Sequence, residues 1–143
     1  MAVGKTLLAS AGYDVLFIRA DQMLLELKQS RADHSHEKAL RRFFAPDLLT
    51  LDEFALRWLD TAHSNDIYEV VIERHRRSPT ILTFNRQVDE WMPLFDDSIL
   101  AQSALDRLSH NAYQVQIEGE SYRKGQRLDL LASSKTSTKP EKE

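Results

Sequence analysis

A chain of 143 residues with 42% hydrophobic content has enough apolar material to bury one core, so one domain is expected. The formal charge of −3 excludes a uniformly basic coat for nucleic acid, though not local basic patches. The absence of cysteine excludes disulfides and thiolate metal sites and fits a reducing cytoplasm, and no apolar run reaches membrane-spanning length, so a cytoplasmic protein with no membrane partner is expected.

Gly4-Lys5-Thr6, followed by Leu7, Leu8 and Ala9, has the form of the closing half of a phosphate-binding loop running into a helix. There backbone N–H groups would meet phosphate, Lys5 would reach the outer oxygens and Thr6 would ligate Mg²⁺. The full G-x-x-x-x-G-K-[ST] pattern asks for a further glycine five residues earlier, and a GKT tripeptide also occurs as an ordinary helix start. Gly12 breaks the first helix, and Tyr13 to Ile18 reads as a buried strand. Only six residues separate Thr6 from Tyr13, fewer than a crossover between parallel strands normally needs.

Asp21 is expected to cap a helix with Met23, Leu24 and Leu27 on one face, fading over Ser30 to Ser35. A second helix is expected over His36 to Phe44, ended by Pro46. His34 and His36 lack the further ligands a metal site needs, so no metal is assigned to them. Leu48 to Glu53, LLTLDE, organises the chain. An apolar run ending in adjacent carboxylates is how a buried parallel strand delivers acid groups to its C-terminal edge. In a nucleotide-hydrolysing domain Asp52 would hold Mg²⁺ and Glu53 would polarise the attacking water, whereas the plain alternative is a strand running out into solvent.

Ser64 or Asn65 is expected to cap a helix reaching Arg77, with Ile67, Val70 and Val71 buried and Arg74, Arg76 and Arg77 loading its outer end. That cluster either complements the helix dipole or meets nucleic acid. Pro79 to Phe84 is a further strand candidate, and Asn85 beyond it either orients a water or forms an Asx-turn. A short helix is expected over Asp89 to Phe95, then a helix capped by Asp97 and reaching His110, with Leu100, Ala104 and Leu108 as its apolar stripe. Arg107 falls on that stripe, where a guanidinium needs an anion; an internal salt bridge is the first expectation and a phosphate the second. Tyr113 to Ile117 alternates as a final strand, and residues 128–143 read as a disordered polar tail after a domain over residues 1–127.

The runs RADHSHEKALRRFFAPDLLTLDEF, SNDIYEVVIERHRRSPTILTFNRQVDEWMPLF and DDSILAQSALDRLSHNAYQVQIEGESYR resemble the IstB-like ATP-binding proteins of bacterial insertion sequences, relatives of the helicase loader DnaC among the AAA+ ATPases. The resemblance extends over roughly Asp14 to Arg123 and implies an α/β P-loop NTPase of the AAA+ type, three-layered with a mainly parallel sheet and incomplete at the N-terminus. It further implies ATP and Mg²⁺ as cofactors, double-stranded DNA and the transposase of the same element as partners, and a homo-oligomer. By the same resemblance Gly4, Lys5 and Thr6 match the end of the Walker A loop, Asp52 and Glu53 the Walker B pair, and Asn85 the sensor asparagine. Arg107 would be the finger completing a neighbour's site, so Glu53, Asn85 and Arg107 form the implied catalytic set. Against the family's pattern the sequence is short of the opening strand and glycine of the loop and of the N-terminal helical domain, so ATP binding and hydrolysis are expected to be impaired. The rival reading is a non-catalytic remnant or interaction module that keeps the fold without nucleotide.

Overall fold

A computed structural model describes residues 7–55, 57–110 and 112–116. They fall into two units, divided between Ala112 and Tyr113. In the first, residues 7–10 form a helical turn closed by Gly12, whose φ of +89° is left-handed. Gly12 N–H donates to Ala9 O at 3.1 Å and Tyr13 N–H to Leu8 O at 3.2 Å, the paired bonds of a Schellman end.

Three parallel strands follow: β1 (Val15–Arg19), β2 (Leu48–Asp52) and β3 (Thr80–Leu82), in the order β1-β2-β3. Leu16 lies opposite Leu49, Arg19 opposite Asp52, and Leu51 opposite Leu82. Helices α1 (Ala20–Ala32) and α2 (His36–Phe44) carry the chain from β1 to β2, and α3 (Thr61–Arg74) carries it from β2 to β3. β2 is flanked by the other two. It is the most buried strand because it is central: Leu49, Thr50 and Leu51 are all buried. Met23 and Leu27 of α1, Phe43 of α2, and Ile67 and Val70 of α3 pack with these leucines in one core. Two 3₁₀ turns (Val88–Glu90 and Met92–Leu94) and helix α4 (Ser98–Ser109) complete the first unit. No helix of the described residues is long and apolar enough to cross a membrane.

Several sequence expectations shift. Asp21 is not the cap of α1: Arg19 holds that position, and Asp21 lies in the first turn bonded to the Arg19 guanidinium. α3 begins before Ser64, because Asp60 accepts from His63 N–H at 2.8 Å and caps it first, leaving Ser64 buried inside the helix. The stretch Asp89 to Phe95 makes 3₁₀ turns in place of a helix, with Pro93 removing a donor. Asp97 caps α4 as expected, accepting from Ile99 and Leu100 N–H, yet the buried stripe is Ala101, Ala104 and Leu105, with Leu100 and Leu108 only half-buried. In the second unit the expected strand Tyr113 to Ile117 does not form over residues 113–116, and Ile117 lies outside the described residues. Alternation marks a strand only where a neighbour takes its N–H and C=O groups, and no strand pairs with it among the described residues.

Candidate nucleotide site at the C-terminal edge of the sheet

β2 brings Asp52 to the edge and then stops, because Glu53 turns to φ +54° and Ala55 to φ +57°. Left-handed backbone costs a non-glycine residue about 1 kcal/mol, so something must hold the turn. Phe54 does so from below, buried against Trp91 with ring centroids 5.0 Å apart. Thr83, one residue beyond β3, does so from the side. Its N–H donates to Leu51 O at 3.0 Å and its carbonyl accepts from Phe54 N–H at 2.8 Å. Its hydroxyl accepts from Glu53 N–H at 3.1 Å and donates to Asp52 Oδ1.

The parallel register sets Arg19 beside Asp52, but the guanidinium bypasses it. Arg19 Nη2 lies 2.7 Å from Glu53 Oε2 and 3.0 Å from Asp21 Oδ2. Among the described residues Asp52 therefore has no cationic partner, although it is half-buried. A half-buried carboxylate with one oxygen bonded by a hydroxyl and no countercharge is a donor of the hard type that suits Mg²⁺. Asn85 follows Thr83 by two residues in an exposed bend, and its side chain has no hydrogen-bond partner among the described residues. It forms no Asx-turn there.

Arg107 departs from its first expectation. Among the described residues it makes no salt bridge; it donates to Ser103 O at 2.9 Å and Ser103 Oγ at 2.5 Å and lies 6.0 Å from the Tyr68 ring centre. Its own helix and an aromatic face satisfy the guanidinium, so no internal anion is needed. Gly4, Lys5 and Thr6 lie outside the described residues.

The basic cluster at the end of α3 also divides. Arg74 is buried, donating to the carbonyls of Phe43, Phe44, Pro46 and Pro79 and to Thr80 Oγ1 over 2.8 to 3.1 Å. Burial pulls its pKa below the usual arginine value, and it is lost to any surface role. Arg41 and Arg77 instead line a cavity of about 280 Å³ with Phe44, Ala45, Glu73 and Ser78, at the sheet end opposite Asp52.

Sequence reading missed Thr83 and Arg19 as members of the site. The signal was present, since parallel pairing of TILT with LLTLD places a threonine just beyond the partner of Leu51, but it depends on a register that single runs do not carry.

The described residues thus have the parallel α/β fold of the AAA+ class of P-loop proteins. The IstB-like ATP-binding protein family matches residues 1–130, and the chain belongs to that family. It is 37% identical over 132 residues to an insertion-sequence protein of Mycobacterium tuberculosis named for ATP binding, across 86% of this chain and 53% of that one. A similarly named insertion-sequence protein of Geobacillus stearothermophilus is 35% identical over 129 residues, across 85% and 51%. The chain spans about half the length of the curated relatives it matches. Among solved structures, the DnaC helicase loader superposes with a TM-score of 0.64 at 18% identity, over 80% of this chain and 67% of that one, a likeness of fold.

Proposed function

We propose that the chain binds ATP with Mg²⁺ at the C-terminal edge of β2 and serves, as part of an oligomer on double-stranded DNA, as a helper of the transposase of its insertion sequence. The observation that carries the nucleotide reading is the Asp52 carboxylate, half-buried at the end of the central strand with no countercharge among the described residues. Family membership and the ATP-binding names of its relatives support the same reading.

In this assignment Asp52 and Thr6 hold the metal, and Gly4 and Lys5 hold phosphate with backbone N–H and ammonium. Mg²⁺, when bound, supplies charge neutralisation at the phosphate oxygens. Glu53 accepts the proton of the attacking water, for which it must leave Arg19; an exposed ion pair contributes only about 0 to 1 kcal/mol, so that release is cheap. Asn85, exposed two residues beyond Thr83, orients the same water through its amide. Arg107 reaches the site of a neighbouring copy, exchanging Ser103 for phosphate. The ATPase domain covers residues 1–127, with 128–143 as a polar tail, and the protein works in the cytoplasm.

Isothermal titration of the chain with ATP, with and without Mg²⁺, tests this assignment. Asp52→Asn should remove the Mg²⁺-dependent part of binding, whereas Glu53→Gln should keep binding and lose hydrolysis. Identical titrations with and without Mg²⁺ in the unmodified chain would leave the fold as a non-catalytic interaction module.

A further inference from the structure

We propose that Thr83 is a positioning residue for this site: its single hydroxyl fixes one oxygen of Asp52 and the backbone of Glu53 together. The proposal rests on the assignment of Asp52 to the metal. A threonine hydroxyl has one proton to donate and two lone pairs to accept with. At Thr83 the proton goes to Asp52 Oδ1, a charge-assisted bond, and a lone pair takes Glu53 N–H at 3.1 Å. Three consequences follow. The Asp52 carboxylate is held in one rotation, so its other oxygen, Oδ2, keeps a fixed direction at the edge of the sheet. The Glu53 amide, which the strand ladder no longer pairs, gains an acceptor just where φ turns to +54°. The two carboxylates are thereby aimed by a group that carries no charge and so does not compete for the cation.

The position is itself rigid. Thr83 N–H and carbonyl are engaged by Leu51 and Phe54 on either side of the pair, so four hydrogen bonds tie this one residue to positions 51–54. A hydroxyl on a mobile loop would not aim a carboxylate. Groups bonded behind a metal ligand typically change metal affinity or activity by about 10- to 100-fold when removed.

The test compares the unmodified chain with Thr83→Val, which keeps the shape and loses the hydroxyl, and Thr83→Ser, which restores it. In the first arm, amide hydrogen exchange at Glu53 should accelerate about tenfold or more in the valine variant and return in the serine variant, while the core amide of Val70 is unchanged. In the second arm, the Mg²⁺ concentration giving half-maximal ATP binding should rise about 10- to 100-fold in the valine variant and recover in the serine variant, with Mg²⁺-free ATP affinity unchanged. Unchanged Glu53 exchange, a serine variant that does not recover, or equal losses with and without Mg²⁺ would each overturn the proposal. If the unmodified chain shows no Mg²⁺-dependent ATP binding, the nucleotide assignment fails and takes the metal half of the proposal with it, whereas the exchange arm still decides whether Thr83 holds Glu53.

Discussion

Arg31 grips the fully buried carboxylate of Asp66 with both terminal nitrogens, Nη1 to Oδ2 at 3.0 Å and Nη2 to Oδ1, and so ties α1 to α3 beneath the sheet. His36 Nε2 lies 3.7 Å from the same Oδ1, which brings α2 to the pair. The hydrogen bond to Asp66 also raises the Arg31 pKa above its usual value, against desolvation. Removing one partner of such a pair costs far more than the pair contributes, because the other charge is left buried alone. Arg31→Ala is therefore expected to destabilise the chain by about 3 to 5 kcal/mol in urea unfolding. The double substitution Arg31→Met with Asp66→Leu should recover a large part of that loss. Additive losses in the double variant would contradict this account.

Arg74 joins the carbonyls of Phe43 and Phe44 at the end of α2, and of Pro46 just beyond it, to Pro79 and Thr80 at the start of β3. A lysine keeps the charge but not the planar fork, so Arg74→Lys leaves buried carbonyls without donors at about 1 to 3 kcal/mol each. The expected loss is about 3 to 5 kcal/mol, with β3 loosened first. Urea unfolding measures the total, and faster amide exchange at Leu49, whose N–H donates to Pro79 O, reports the location. A lysine variant as stable as the original would show that water replaces the fork.

This burial of Arg74 marks how far the sequence could be read. The strand cores, the helix His36 to Phe44, the burial of Met23, Leu24 and Leu27, and the Asp97 cap follow from period and capping chemistry, which are local. Arg74, Asp66 and Thr83 are polar residues whose roles depend on partners 28 to 35 positions away, or across a strand register. In the sequence each looks like a surface residue. The Tyr113 stretch fails in the opposite sense, carrying strand alternation with no partner among the described residues.

Asp33 Oδ1 accepts from Ser35 Oγ at 2.5 Å and Ser35 N–H at 3.1 Å, and these bonds hold its carboxyl below the usual aspartate value. A depressed folded-state pKa gives stability that is present above the unfolded value and lost as pH falls through the folded one. The α1–α2 turn should thus tighten at neutral pH and relax in acid. Carbon-detected NMR titration should show Asp33 titrating below free aspartate and moving up in Ser35→Ala. An unmoved titration in that variant would remove Ser35 as the cause.

Trp91 is buried with no partner for its indole N–H among the described residues, while Trp58 is 60% exposed. Acrylamide should quench Trp58 strongly and Trp91 little, so Trp58→Phe leaves a blue-shifted, protected emission. Trp91→Phe removes an unsatisfied donor while retaining a ring against Phe54 and Phe84, and should cost no more than about 1 to 2 kcal/mol. Trp91→Ala should cost about 3 to 5 kcal/mol. Equal costs for the two would mean that the indole N–H finds a partner after all.

The DNA part of the proposed function makes its sharpest demand on Arg41 and Arg77, which share the cavity at the sheet end opposite Asp52. Among the described residues each has one carboxylate partner, Arg41 pairing with Glu37 of α2 at 3.8 Å and Arg77, just beyond α3, pairing with Glu73 of its last turn. Such pairs contribute about 0 to 1 kcal/mol, so a phosphate can displace either glutamate at little cost. Arg74 has no such freedom. Binding to unrelated duplexes should therefore be tolerant of sequence and fall steeply with salt, as phosphate contacts release counterions. Arg41→Ala with Arg77→Ala should weaken every duplex alike and flatten the slope of log affinity against log salt by about 2, one unit for each lost phosphate contact. Asp52→Asn, at the other end of the sheet, should leave that slope unchanged in the absence of ATP. Fluorescence anisotropy across a salt series reads both, and an unchanged slope in the double arginine variant would move the DNA to another face.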